Sequence, residues 1–136
     1  MGDEMSSNET CTMNLCPVNK AMEYVSKKWS IEIIRDMFFG KKRFSEFKEG
    51  KPNLSNKVLS DCLKNLESKG VIEKKIVNST PVITEYYLTE RGRSLNKVIY
   101  ELAVFYIDHC GADKFSDENV REKQKSEFRG VLEIKN

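Results

Sequence analysis

Between Leu54 and Lys75 the chain reads LSNKVLSDCLKNLESKGVIEKK, in which Ser55, Asn56, Lys57, Ser60, Asp61, Lys64 and Asn65 are interleaved with apolar residues at helical spacing. Hydroxyls, carboxamides and ammonium groups in such a row are hydrogen-bond donors for recognition rather than parts of a reacting centre. Nucleophilic catalysis needs a base oriented beside the nucleophile, and the single histidine, His109, has no orienting partner close in sequence. A Gly-rich phosphate loop, an HExxH and a paired CxxC are all absent. The expectation is a protein that is not an enzyme. One thiol stands apart: Cys16 precedes Pro17 where a helix opens, and unpaired N–H groups and the helix dipole there favour a thiolate. An inert cysteine is the other reading of the same position.

Cys11, Cys16, His109 and Cys110 offer sulfur and nitrogen of the kind zinc takes, but their spacings match no standard zinc module. Neither a metal nor a cofactor is expected. The four cysteines show no disulfide-framework spacing, so in a reducing compartment they begin as thiols. A chain of 136 residues suits one domain, and no apolar run reaches the roughly 20 residues that cross a bilayer. The start, MGDEMSSNET, has three acids and no base, the reverse of a secretory signal, which predicts a cytoplasmic protein without a membrane role. The net charge of +2 is unevenly spread: positions 18–95 carry sixteen Lys and Arg against ten Asp and Glu, and both flanks are acidic. A basic face on a small domain is what contact with phosphates requires.

The elements that must position these groups follow from periodicity. Pro17 opens a helix with Val18, Ala21, Met22 and Val25 on one side. Trp29 to Phe39 makes a strongly apolar second helix ending at Gly40, and Phe44 and Phe47 define a short third one. Ser55 is a credible N-cap for the next helix, whose stripe joins Leu54, Val58, Cys62 and Leu66 to Leu59 and Leu63, and Gly70 closes it. Val71 to Val77 and Val82 to Leu88 read as strands of a hairpin around a turn at Asn78 to Pro81. Thr89 then caps one final helix running through Leu95, Val98, Ile99, Leu102, Phe105 and Ile107, which has more apolar surface than one supporting contact needs and so implies a partner chain. A further helix is expected after Ser116, followed by an apolar stretch from Val131 to Ile134.

Three helices, a two-stranded ribbon and a closing helix are the layout of a winged helix-turn-helix, mainly α with a small β-hairpin. In it the helix after Ser55 enters a DNA major groove. The carboxamide of Asn56 suits adenine and the ammonium of Lys57 suits guanine, while serine contacts bases or phosphates. The segments CPVNKAMEYVSKKW, GKKRFSEFKEGKPNLSNKVLSDCLKNLESKGVIEKK and TEYYLTERGRSL, spanning about residues 16 to 106, resemble the HxlR-type, MarR-like family of winged helix-turn-helix transcription regulators. The family pattern runs Cys-Pro-Val, Lys-Trp, Arg-Phe-x-Glu-Leu, a Ser-x-Lys-x-Leu recognition helix, and Glu-Tyr-x-Leu-Thr-x-x-Gly after the wing. The resemblance implies a cytoplasmic homodimer joined through its terminal helices on a pseudo-palindromic operator in double-stranded DNA. In some members the N-terminal cysteine senses oxidants. Oxidation would join Cys16 to Cys11 or to a cysteine of the other subunit and alter the spacing of the two recognition helices.

Under this reading residues 1–15 are an acidic leader, 16–110 the DNA-binding and dimerisation domain, and 111–136 a charged C-terminal extension without a functional account. Base readout is assigned to Ser55, Asn56, Lys57, Ser60 and Asp61, and phosphate or wing contacts to Lys27, Lys28, Lys41, Lys42, Arg43, Lys64, Lys74 and Lys75. Cys16 is the candidate redox sensor. The sequence departs from the family in having Cys62 where Arg or Gln is common, and in lacking an Arg in the wing segment PVITEY. A buried Cys62 acting as a small hydrophobe fits the apolar stripe. The competing reading is a winged helix used for protein–protein assembly without specific DNA readout.

Overall fold

The computed structural model describes residues 16–111 and 114–135; the leader assigned to residues 1–15, with Cys11, lies outside them. Helix α1, Pro17–Val25, has its proline at the first helical position and buries none of its own residues. Helix α2, Ser30–Phe38, is the central element, because Ile33 and Ile34 are completely inaccessible and Met37 nearly so. Trp29 and Phe39, the expected limits, flank it as caps, so the helix is one residue shorter at each end than expected. The short helix α3, Phe44–Phe47, is started by Glu46, whose carboxylate accepts from the backbone N–H groups of Lys42 and Arg43 at 2.9 Å each.

Helix α4, Asn56–Ser68, carries the segment first singled out. The Ser55 hydroxyl accepts from the N–H of Val58 at 3.1 Å, the expected cap. Leu59, Cys62, Leu63 and Leu66 are buried, whereas Val58, expected in the same stripe, is 44% exposed. The error came from phasing the stripe on Leu54. That residue precedes the cap, so its side chain does not follow the 100° step of the helix. Gly70, at φ +75°, ends the helix as anticipated.

Strands β1, Ile72–Ser79, and β2, Val82–Leu88, pair antiparallel from Ile72 opposite Leu88 to Ser79 opposite Val82, with a bulge between Ile76 and Asn78. Strand β2 has the expected limits, whereas β1 starts one residue later and ends two residues later than expected, leaving only Thr80 and Pro81 as the turn. The N–H of Tyr86 donates to the carbonyl of Lys42 at 2.8 Å, tying the wing to the loop before α3.

The single closing helix of the sequence reading is two helices, α5, Glu90–Arg93, and α6, Asn96–His109. Thr89 does cap, accepting from the N–H of Gly92 at 3.2 Å, but its hydroxyl also donates to the carbonyl of Gly70 at 2.6 Å. Gly92 fits so closely that a Cβ there would stand 2.2 Å from the carbonyl oxygen of Val71. The first turn is thus fixed to the end of α4, and α6 starts afresh after Leu95. This long-range attachment explains both the Thr and the Gly of the Leu-Thr-x-x-Gly pattern.

Helix α7, Glu118–Val131, begins where a helix was expected after Ser116 and packs along α6. Lys125 pairs with Asp108 at 2.7 Å, and Arg129 donates to the Tyr100 hydroxyl at 2.7 Å. Phe128 meets Phe39 edge-on with ring centroids 6.2 Å apart, and Leu132 is fully buried in the core. The architecture is mainly helical with one two-stranded hairpin, a winged helix in which α3 and α4 form the helix-turn-helix. Among the described residues no helix is long and apolar enough to cross a membrane.

Candidate nucleic-acid interface

Burial of Leu59, Leu63 and Leu66 rotates the opposite side of α4 outward, and Ser55, Asn56, Lys57, Asp61 and Lys64 all lie exposed on it, with Ser60 partly covered. Their chemistry is already partly committed. The Ser55 hydroxyl is occupied by capping. The Asn56 carboxamide oxygen accepts from the ammonium of Lys48, which leaves its NH₂ free to donate. Lys57 and Asp61, one turn apart, pair at 3.1 Å with both side chains mostly in solvent. Such a pair contributes little stability, but it fixes the direction of the lysine and offsets the repulsion between Asp61 and a phosphate.

The turn between α3 and α4 is held by a group that the sequence did not reveal. Lys51, 7% exposed, places its ammonium on the carboxylate of Asp36 in α2 and donates to the carbonyl of Phe47 at 2.9 Å. Arg35 covers the other oxygen of Asp36 at 2.9 Å. One buried lysine therefore locks the last turn of α3, the turn itself and α2 together. The acid could have been suspected, because Asp36 lies three residues after Ile33 on the buried side of α2. Nothing local marks Lys51, flanked by Gly50 and Pro52.

Lys42 and Arg43 also differ in setting from the picture of cations free to meet phosphates. Both face Glu85 of β2, at 3.7 and 3.4 Å. Glu85 is only 6% exposed. Its carboxyl lies below the usual range because the Tyr87 hydroxyl donates to it and the two cations stand near. Glu46 is likewise lowered, chiefly by the backbone N–H groups of Lys42 and Arg43. Lys41 reaches Glu49 at 3.6 Å. In the wing, Lys74 and Lys75 leave the ribbon on opposite faces. Lys75 pairs with Glu73 at 3.5 Å and lies over the Tyr87 ring.

Lys27 and Lys28 are exposed on the turn between α1 and α2, and with Asp61 they wall a cleft beside α4. The structure thus brings these three residues of the sequence reading together. Cys62 is buried in that wall, 3.9 Å from the Ser30 hydroxyl. Burial pushes its thiol up, the Ser30 hydrogen bond working the other way. This is the setting of an inert packing cysteine. Cys16, 6% exposed, is the N-cap residue of α1, and its carbonyl accepts from the N–H of Lys20 at 3.0 Å. His109 and Cys110 lie exposed at the end of α6, and among the described residues no cluster of three His, Cys, Asp or Glu could hold a metal.

Residues 24–114 match the model of the HxlR-like helix-turn-helix family. YtcD of Bacillus subtilis, an HTH-type transcriptional regulator, is 36% identical over 116 residues, covering 81% of this chain and 92% of its own. The redox regulator HypR in its oxidised form superposes with a TM-score of 0.64 at 30% identity, over 69% of this chain and 97% of that one. The reduced form of the transcriptional regulator YodB from B. subtilis gives 0.61 at 34% identity, over 73% and 98%.

Proposed function

The chain belongs to the HxlR-like helix-turn-helix family and is a DNA-binding transcription regulator; from that premise we propose that it acts in the cytoplasm as a homodimer on a pseudo-palindromic operator, with α4 of each subunit in successive major grooves about 34 Å apart. The observation that carries this reading is the exposed face of α4, where a capped helix buries its leucines and presents Asn56, Lys57, Asp61 and Lys64. In this assignment Asn56 and Lys57 read bases, Ser60 and Asp61 support them, and Lys64, Lys27 and Lys28 meet phosphates. Ser55 serves mainly as the cap, and one of Lys74 and Lys75 faces the minor groove.

Dimerisation through α1 and α6 is supported by apolar side chains that each protomer leaves in water: Val18 and Met22 on α1, and Val98, Leu102 and Phe105 on α6, between 45% and 67% exposed. Sensing at Cys16 is supported by its place at the start of α1 beside that apolar surface, and by the redox regulator among the structural neighbours. The assembly-module reading is not favoured, since the family and its relatives are transcription regulators.

Fluorescence anisotropy with duplexes from upstream of the protein's own coding sequence, against a shuffled duplex near 150 mM salt, tests the reading. A preference of about a thousandfold is expected. Asn56→Ala should flatten discrimination at one position per half-site by about 1–3 kcal/mol, whereas Lys64→Ala should weaken all duplexes alike and lower the salt slope by roughly 0.9. If the two variants behave alike, the sorting of contacts is wrong. Diamide treatment should abolish the preference in the parent protein and leave it intact in Cys16→Ser.

A further inference from the structure

We infer that Tyr24 of α1 is a positioning residue for DNA recognition: held against Lys69 and Arg91 at the C-terminal end of α4, it fixes the direction of that helix relative to the dimer surface. It thereby sets the half-site spacing that the protein accepts. The inference rests on the reading of α1 and α6 as the dimer contact. Successive residues of a helix step by about 100°, so Tyr24 lies about 200° round α1 from Met22. The helix that turns Val18 and Met22 outward therefore turns the Tyr24 ring inward, where it packs against the core. In α1 only Tyr24 and Val25 are partly covered, and Tyr24 is the one that reaches the core.

What the ring meets is the end of the recognition helix. The Lys69 ammonium lies 5.8 Å and the Arg91 guanidinium 5.7 Å from its centroid, within the range of attraction between a cation and an aromatic face. Lys69 is the C-cap residue of α4, and Arg91 of α5 donates to its carbonyl at 2.9 Å. The negative end of the helix dipole favours both cations there. Arg91 also lies over Gly70 so closely that a Cβ on the glycine would stand 3.2 Å from its Nη1. A pocket of about 270 Å³ opens beside the ring, between Ala21, Val71, Ser94 and Leu95, so these contacts rather than close packing seat α1 at this point.

The leverage is large. The 13 residues of α4 span about 20 Å. A pivot of about 10° at the clamped end thus carries Asn56 about 3.4 Å, the rise of one base pair. A ring that holds this angle holds the distance between two recognition helices to one step of the duplex.

Selection of binding sites from randomised duplexes by the full chain tests this without a known operator. The parent should enrich paired half-sites at one spacing. Tyr24→Phe, which keeps the ring, should enrich the same spacing. Tyr24→Leu keeps apolar bulk against the core but loses the ring, and it should enrich the same half-sites at spacings spread by at least one base pair. Arg91→Met, at an exposed position outside α1, should do the same and carries the test should Tyr24→Leu misfold. By anisotropy the parent should prefer its own spacing at least tenfold over duplexes one base pair longer or shorter, and these two variants less than threefold. Folded variants that keep the parent's single spacing, or that weaken every spacing by one common factor, would overturn the inference, as would a Tyr24→Phe that spreads like Tyr24→Leu. A parent that enriches lone half-sites would instead overturn the dimer reading, and the spacing role with it.

Discussion

Replacing Lys51 by Met tests whether one buried ammonium holds the helix-turn-helix in register. In the folded protein Lys51 and Asp36 are 7% and 4% exposed, and the lysine also donates to the Phe47 carbonyl. Methionine keeps the length of the side chain and removes the charge, so the variant strands a carboxylate and a backbone carbonyl in the core. Breaking a buried pair from one side costs about 3–5 kcal/mol. Arg35 remains 2.9 Å from the other oxygen of Asp36, with its side chain 38% exposed, so the low end, about 3 kcal/mol, applies here. With a urea slope of about 1.5–2 kcal/mol per molar, the midpoint falls by roughly 1.5–2 M. Denaturation must be run at one protomer concentration, because association adds its own stability. The double variant Lys51→Met with Asp36→Leu removes the stranded charge and should recover at least about 2 kcal/mol of the loss, since apolar replacement of a whole buried pair is often neutral. A single variant that loses less than about 1 kcal/mol, or a double variant no more stable than the single, would refute the reasoning.

Glu85→Gln should release Lys42 and Arg43 toward DNA, raising affinity for all duplexes and steepening the salt slope by about 0.9 for each phosphate gained; an unchanged slope would mean these cations do not face the DNA. Because burial raises the Cys62 thiol, the folded chain keeps a proton that the unfolded chain gives up above the ordinary value of 9.0, so stability should fall as pH rises past that point. The decline should be shallower in Cys62→Ala when urea midpoints are compared from pH 8 to 10. Leu102→Glu places a charge in the exposed apolar face of α6 and should shift sedimentation at micromolar protein toward the monomer; a sedimentation profile identical to the parent would move the dimer contact elsewhere.

Local patterns were enough for most of the frame. The cap at Ser55, the left-handed Gly70, the cap at Thr89 and the paired β-rich segments each act over a few residues, so the order of helices and wing could be read directly. The segments that resemble the family lie on those same elements, and residues 24–114 match its model. The face of α4 that meets solvent was also readable, because a helix that buries every third or fourth residue must expose the side between them.

The sequence by itself thus determined the order of the helices and the wing and which side of α4 stays polar, since these depend on backbone preference and helical period, while the division of the closing helix into α5 and α6 came from the contacts of Thr89 and Gly92 with Gly70 and Val71. Tertiary structure decided which charges remain available. Lys51 was drawn inside by Asp36, fifteen residues away, and Arg43 was tied to Glu85, forty-two residues away. Val58 turned out of the core to line a cleft, and Leu132 returned from the far end of the chain to fill the core. Charge pairing and close packing depend on distances in space, and a one-dimensional period carries no record of which remote residue will stand opposite.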